Sequence, residues 1–314
     1  MKSALCECAC SDFRPEGFPA LENIQKVKSL VPLYTDDLKA AVIGNYWRAR
    51  ILKSYSRRLL TKSTDKLVAL TAVASRLQSE FGLTYLAGLW KDDLIKELLW
   101  SVERHAHNAD HITIYQESFY APSWSWVSVD APMSWHPFEC NRSTGEPLAR
   151  VLEAYTRPST VNLFGPVSHG EIKLSAIVWP ATAEYGAETD VWTMPMAQIN
   201  ESLREEGVEG MVRFDTSLRV TIEHDILTQE EHPTARRLRR GEEENKQSKI
   251  PVLAVPLIIT GDPERRNDFM YGLILQESVA RMGCLERLGR FRTPVSAIDV
   301  AGVRTMARQE IVLV

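Results

Sequence analysis

The residues best equipped for chemistry lie in an aromatic-rich run, YQESFYAPSWSWVSVDAPMSW, at positions 115–135. The aromatic side chains that bear a polar group there are Tyr115, Tyr120, Trp124, Trp126 and Trp135. Aromatic rings offer a large apolar area with few rotatable bonds, and a phenol O–H or indole N–H can donate a hydrogen bond. Such a run suits either a packed core or a pocket for a hydrocarbon-rich molecule.

The spacing of two tryptophans indicates a role in packing. If APSWSWVSVD (121–130) forms a strand, Trp124 and Trp126 point to the same face, and the serines and Val127 between them point to the opposite face. A face this heavy in aromatic rings suits the junction between helices and a β unit. We therefore expect core positions for both tryptophans, and a turn or capping role for Asp130.

Two groups of residues resemble metal ligands only in part. His105, His107 and His111 lie near Asp110, but histidines two residues apart share a face only on a strand, and a polar loop fits this stretch better. The cysteines of CECAC (residues 6, 8 and 10) are spaced more closely than the two-to-four-residue spacing of zinc ligands. We predict no bound metal.

Composition and missing motifs exclude several other classes. The chain has no Gly-x-Ser-x-Gly elbow, no His-Glu-x-x-His and no glycine-rich phosphate loop, so we predict no nucleotide and no cofactor. A net charge of −4 argues against a nucleic-acid partner. No apolar run reaches the roughly 18 residues of a membrane span. Five cysteines without a signal sequence predict a reducing, cytoplasmic location.

Hydrophobic periodicity predicts helices before residue 112. Apolar residues recur at three- and four-residue steps in residues 36–60, 61–82 and 91–105, and Gly82 is placed to end the second helix.

After residue 112 the pattern becomes that of strands. Five segments rich in Val and Ile are predicted as strands: 170–179, 210–222, 250–260, 269–278 and 308–314. Pro256 predicts a bulge or an edge in its strand.

The order of these elements predicts an α+β fold. A mainly helical region (1–112) would pack on a mainly β region (113–314), an antiparallel sandwich or barrel-like unit, with a charged loop at 228–249. We expect the two regions to form one integrated unit.

Several segments resemble the fungal heterokaryon-incompatibility (HET) domain proteins. The strongest matches are YSRRLLTKSTDKLVALTAVASRL (55–77), YLAGLWKDDLIKELLW (85–100) and APSWSWVSVD (121–130). Weaker ones are CECACSDFRPEGFP (6–19) and the segment 271–291. The family's N-terminal core, which resembles TIR-type folds that cleave nicotinamide dinucleotides, has no counterpart here. The resemblance therefore implies the family's downstream part, without the incompatibility or NAD-cleaving activity.

The matched motif separates the aromatic residues into two groups. Because Trp124 and Trp126 lie inside it, they are expected to serve the fold. Tyr115, Tyr120 and Trp135 flank it, and we predict that they border a pocket for a hydrophobic small molecule, terpenoid or polyketide.

Two functions are consistent with these features. The first is a cofactor-independent enzyme of fungal secondary metabolism, a cyclase of the Diels–Alder type. Such an enzyme would act by folding the substrate into a reactive conformer and polarising a carbonyl, and needs no catalytic motif. The alternative is a non-enzymatic regulatory or interaction module derived from an incompatibility protein. The volume and lining of the interior pocket discriminate between them.

Overall fold

A computed structural model describes residues 35–58, 62–103, 121–135, 137–138, 144–186, 191–195, 219–224, 249–261 and 268–314. The CECAC cluster, the histidine-rich stretch 105–111 and residues 228–248 of the predicted charged loop lie outside these ranges, and Lys249, predicted as the end of that loop, is the first residue of a strand. Helices and one large, mostly antiparallel sheet make up the described chain, which is an α+β protein as the sequence predicts.

The first two predicted helices are present. The first consists of α1 (Thr35–Ala41), a π-helix (Val42–Leu52) and α2 (Lys53–Tyr55) in continuous succession. A 3₁₀ turn (Ser63–Asp65) leads into α3 (Lys66–Phe81). Helix α3 ends where predicted, because Gly82 adopts the left-handed conformation (φ 62°) that favours glycine at a helix C-terminus.

The third predicted helix is much shorter than expected. After a 3₁₀ turn (Lys91–Asp93), α4 contains only Leu94–Glu97, and residues Ser101–Val102 already form strand β3. The prediction of a helix to residue 105 is wrong because β3 pairs with β4 (Met133–Ser134). Tertiary pairing thus overrides the local helical periodicity.

A tight hairpin joins α3 to this region. Strands β1 (Tyr85–Leu86) and β2 (Leu89–Trp90) are linked by Ala87 and Gly88 alone. Both linking residues have positive φ, 44° and 93°, as in the two-residue turns that match the twist of paired strands. A Cβ on Gly88 would lie 2.7 Å from the indole nitrogen of Trp126, so this turn and that tryptophan fit only with glycine.

The remaining strands form the large sheet. They are β5 (Thr144–Pro147), β6 (Arg150–Pro158), β7 (Val167–Ala176), β8 (Trp179–Gly186), β9 (Val191–Pro195), β10 (Arg219–His224), β11 (Lys249–Gly261), β12 (Phe269–Glu277), β13 (Leu285–Pro294) and β14 (Gln309–Leu313). The register between β11 and β12 shifts between Pro256 and Ile258, which confirms the predicted bulge. A short helix, α5 (Val300–Thr305), precedes β14.

The strand order is β10-β9-β8-β11-β12-β13-β14-β7-β6, with β5 paired to β11. Strand β10 also pairs with β13, through Ile222 opposite Phe291. These pairings connect six strands, β8 to β13, in a ring, and β14, β7 and β6 continue the sheet from β13.

Buried apolar residues form two clusters. The larger one contains side chains from the π-helix, α3 and the 85–100 region together with residues of β7, β11 and β12. The smaller one is formed mainly by residues of the ring strands, including Trp179, Met270 and Phe291. Helical and β residues thus share the larger core.

We expect the substitution Gly272→Ala to destabilise the fold. Its Cβ would lie 2.3 Å from the Val255 carbonyl oxygen and 2.5 Å from the Phe291 ring, and a backbone oxygen in a paired strand cannot move aside. Overpacking of this kind costs about 1–3 kcal/mol. Urea unfolding should show the loss. Gly165→Ala is the control, since its Cβ would meet a side chain, Asn162, no closer than 3.0 Å. An unchanged midpoint for Gly272→Ala would contradict the packing.

Candidate functional site

The tryptophan-bearing motif is a turn rather than a strand. Residues 121–125 form bends and turns, and Trp126–Ser128 form a 3₁₀ helix that begins at Ser125, whose Oγ accepts a hydrogen bond from the Val127 N–H. The Ser125 hydroxyl itself donates to the Ala87 carbonyl at 2.6 Å, and this long-range bond holds the segment out of a strand. The strand prediction is wrong, but Trp124 and Trp126 are both buried in the core, as predicted.

A buried lysine ties the same turn to helix α3. The ammonium of Lys66 donates to the carbonyls of Val129 (2.6 Å) and Val127 (3.4 Å) and forms an ion pair with Asp130. Burial lowers the pKa of Lys66, against the opposing effect of Asp130. Asp130, expected as a turn or capping acceptor, is thus the counter-ion of a buried lysine.

The buried tryptophans also act as hydrogen-bond donors. Trp47 and Trp126 both donate to the Gly88 carbonyl, at 3.3 and 3.0 Å, and Trp100 donates to the Trp124 carbonyl at 2.9 Å. Each bond joins segments at least 24 residues apart in sequence. These indoles pack in the core and also hydrogen-bond distant chain segments to one another. Because they are buried, they take no part in a surface site.

Trp135, a predicted site residue, lies in the same core. Its side chain is fully buried, and its indole N–H donates to the Glu97 carbonyl at 3.1 Å. Its donor is therefore already engaged within the protein. Tyr115 and Tyr120, the other two predicted site residues, lie outside the described residues, so the structure does not bring the three together and their site role stays a prediction.

Close to Trp135, one arginine forms ion pairs with two carboxylates. The guanidinium of Arg48 contacts Asp93 at 2.8 Å and Glu97 at 2.9 Å, and its Nε donates to the Phe138 carbonyl at 2.9 Å. The second oxygen of Glu97 accepts the Trp90 N–H at 3.1 Å. Complete burial raises the pKa of Glu97 to about 7, in opposition to Arg48 and with help from Asp93. The network joins the π-helix, α4 and the turn after β4.

A cleft of about 300 Å³ lies in front of this network. Residues 91–96 form one wall, and β5, β6 and β11 form the other through Pro147, Val151 and Ile258. Its rim is charged and its floor is aliphatic. None of the described tryptophans lines it.

A second candidate surface lies at one end of the large sheet. The turn after β6 (residues 159–166) and the turn after β12 (residues 278–284) both lie at this end, since β13 begins at Leu285 beside Leu313 of β14, and Leu313 pairs with Ile172 of β7. Large apolar side chains are fully or mostly exposed on these turns: Val161 (101%), Leu163 (67%), Val279 (77%) and Met282 (100%). We call these four side chains the hairpin-tip surface.

Both turns are internally bonded. Asn162 accepts from the Phe164 N–H at 3.1 Å and donates to Thr71 of α3 at 3.0 Å. Ser278 donates to Glu286 at 2.6 Å and accepts from the Arg281 N–H at 3.2 Å. The exposed apolar side chains are therefore carried by ordered backbone.

A polar cluster connects the second turn to strands β6 and β7. The carboxylate of Glu171 contacts Arg281 at 2.5 Å, His169 at 3.0 Å and the Tyr155 hydroxyl at 2.9 Å. Partial burial by itself would raise the pKa of Glu171. The hydrogen bonds from Arg281 and Tyr155 together outweigh that effect, so the pKa is lowered and the carboxylate stays charged. Arg281 of the second turn is thereby fixed beside β7.

Comparison of the chain with models of known families, with characterised proteins and with solved structures finds no match in any of the three. The resemblance to HET domain proteins therefore stays a prediction. No helix of the described chain is long and apolar enough to cross a membrane. Within the same residues, no three His, Cys, Asp or Glu side chains are grouped as metal ligands would be.

Sequence reasoning missed both the cleft and the hairpin-tip surface. The turns carry ordinary turn residues, such as Gly165, Pro166 and Gly283, which could have marked them. Which turns meet is decided by strand order, and local sequence does not encode that order.

We expect Trp126→Phe to lower the free energy of unfolding by about 1 kcal/mol more than Trp124→Phe. Both changes remove similar ring area. Trp126 also loses its bond to Gly88, whereas the Trp124 indole N–H has no partner in the described structure. Urea unfolding followed by circular dichroism measures the difference, and equal losses would contradict the donor role of Trp126.

We expect stability to fall as pH rises from about 4.5 to about 7. Glu97 has its pKa raised from 4.5 to about 7 on folding, so in this window the folded state holds one more proton than the unfolded state. Raising the pH removes that proton and destabilises the fold, by about 3 kcal/mol across the window.

The substitution Glu97→Gln should flatten this pH dependence, measured as urea midpoints at several pH values. Glu103→Gln is the control, because Glu103 pairs with Arg57 at the surface. If Glu97→Gln keeps the wild-type slope, the buried carboxyl is not its origin.

Proposed function

We propose that the chain is a non-enzymatic interaction module whose contact surface is the hairpin-tip surface. The observation that carries this proposal is the grouping of exposed apolar side chains. Six large hydrophobic residues of the described chain are exposed, and four of them lie on two turns at the same end of the large sheet. Scattered exposed apolar residues need no explanation, whereas a group at one place marks a contact surface.

The rigidity of the turns favours binding. Ordering a flexible loop costs free energy on association, and a preorganised loop avoids that cost. The hydrogen bonds of Asn162 and Ser278 and the ion pair between Arg281 and Glu171 hold the turns in place before a partner arrives. Val161 and Met282 can then be buried with little loss of backbone entropy.

The charges beside the turns define the partner's chemistry. Arg157 is exposed and lies over the Tyr155 ring at 5.9 Å, and Arg281 projects from the second turn with 42% of its side chain exposed. Glu171, the carboxylate that contacts Arg281, is already bonded to three groups. The surface thus fits a protein segment that carries apolar side chains beside a carboxylate.

The lining of the described cleft supports this function over the predicted cyclase. A cyclase pocket would present aromatic rings to its substrate, whereas the described tryptophans are packed in the cores and the cleft has a charged rim. The cyclase, with Tyr115, Tyr120 and Trp135 at its site and a terpenoid or polyketide substrate, remains the competing prediction.

The finer architecture belongs to the same proposal. We take the chain to be a helical region packed on a barrel-like β unit, acting in the cytoplasm without nucleic acid. The pairing of β10 with β13 and the core shared by helices and strands support this arrangement, and the net charge of −4 argues against a nucleic-acid partner.

Selection from a displayed library of random peptides, with the purified full chain as bait, tests the module. Wild type should enrich apolar peptides that contain Asp or Glu. A variant with Val161→Ser, Leu163→Ser, Val279→Ser and Met282→Ser should bind the enriched peptides at least about tenfold more weakly, since central apolar contacts contribute over 1 kcal/mol each. Circular dichroism checks that it folds.

The matched control is Leu152→Ser, an exposed apolar residue near the start of β6, at the opposite end of that strand from the first turn, and it should bind as wild type does. Peptides that bind wild type and the four-serine variant equally would overturn the proposal. So would acceleration of a linear diene's cyclisation by wild type that is lost in Tyr120→Phe, because that result supports the cyclase.

A further inference from the structure

The cleft beside α4 has features of a small-molecule site. Aliphatic side chains line it from both walls, Leu94 and Ile95 on one side and Val151 and Ile258 on the other, and of these Leu94 and Ile258 are almost fully buried. Its volume of about 300 Å³ is at the lower end of the range for ligand pockets, which suits a small organic molecule. An apolar floor favours a ligand with a hydrocarbon body.

The two carboxylates that line the cleft are paired with cations of the protein. Asp92 is engaged by Lys39 at 2.8 Å and by the Thr84 N–H at 2.8 Å. Asp93 is engaged by Arg48 at 2.8 Å and, more loosely, by Lys96 at 3.6 Å. Both carboxylates are thus satisfied by groups of the protein itself.

Lys91 is the remaining cation among the residues that line the cleft. It is exposed at the rim, and among the described residues it has no carboxylate partner. Because the aspartates beside it are already neutralised by other cations, the rim presents a positive charge to a ligand. An anionic group at this point completes the ion pair that the protein leaves open.

The walls are held in place without a ligand. Ile258 pairs with Pro147, and Gly145 lies so close to Ile258 that a Cβ there would be 2.5 Å from its Cδ1 atom. On the opposite wall, the network of Arg48 with Asp93 and Glu97 anchors α4. A preformed cleft binds without the cost of ordering its walls.

We propose that this cleft binds a small organic monocarboxylate, with its hydrocarbon body on the aliphatic floor and its carboxylate at Lys91. A chain of about eight carbon atoms suits the volume. The site is separate from the hairpin-tip surface, since Val151 and Pro158 stand at opposite ends of β6. It does not rest on the proposed partner binding.

Isothermal titration calorimetry of octanoate into the full chain tests the site. Wild type should bind one octanoate saturably, and 1-octanol, the neutral analogue, should bind more weakly. Lys91→Met should weaken octanoate binding about fivefold, the effect of one solvent-exposed ion pair. It should leave octanol binding unchanged, because octanol carries no charge for Lys91 to pair with.

Two further variants complete the test. Lys62→Met, which removes an exposed lysine elsewhere on the described chain, should bind octanoate as wild type does. Val151→Trp should fill the cleft and remove binding of both ligands, with circular dichroism and thermal unfolding confirming that it folds. The four-serine variant of the hairpin-tip surface should bind octanoate normally, so the two proposals can fail separately.

Several outcomes would overturn the site. These are no saturable octanoate binding, equal affinity for octanol, equal affinity in Lys91→Met and wild type, or full binding in folded Val151→Trp.

Discussion

The Gly88 carbonyl accepts two indole N–H groups, one from Trp47 in the π-helix and one from Trp126 in the motif turn. A buried indole removes a large apolar area from water, but it also carries a donor that must find an acceptor. Here the acceptors are backbone carbonyls of distant segments. Gly88 can lie so close to Trp126 only because it lacks a side chain, and its positive φ is one that glycine tolerates. The hairpin, the π-helix and the motif turn are therefore fixed by one another.

The second constraint is electrostatic, and it sits beside the first. Arg48 and Glu97 are fully buried, Asp93 is partly buried, and a single guanidinium faces both carboxylates. Burial of an ion pair is costly unless every group is bonded, and here the remaining lone pairs and protons meet the Trp90 N–H and the Phe138 carbonyl. The network holds the short helix that forms one wall of the cleft. Core chemistry thereby determines the position of Lys91 and its neighbours at the rim.

The distribution of aromatic residues bears on function. The seven tryptophans whose side chains are described are buried, and the candidate surfaces are made of smaller apolar groups: valine, leucine and methionine on the turns, and aliphatic side chains in the cleft. Such surfaces suit association with another chain and retention of a small ligand. Together they are consistent with a module that binds, and both interactions can be measured separately.

The sequence by itself determined the elements whose signal is local. Strands β7, β11, β12 and β14, the bulge near Pro256, the end of α3 at Gly82 and the burial of Trp124 and Trp126 follow from periodicity, turn chemistry and side-chain size. Tertiary structure decided the rest. The helix predicted to residue 105 ends at Glu97 because residues 101–102 pair with residues 133–134, and the motif predicted as a strand is a turn because Ser125 bonds to Ala87. The hairpin-tip surface and the cleft exist only because strands far apart in sequence become neighbours, and no local pattern specifies which strands those are.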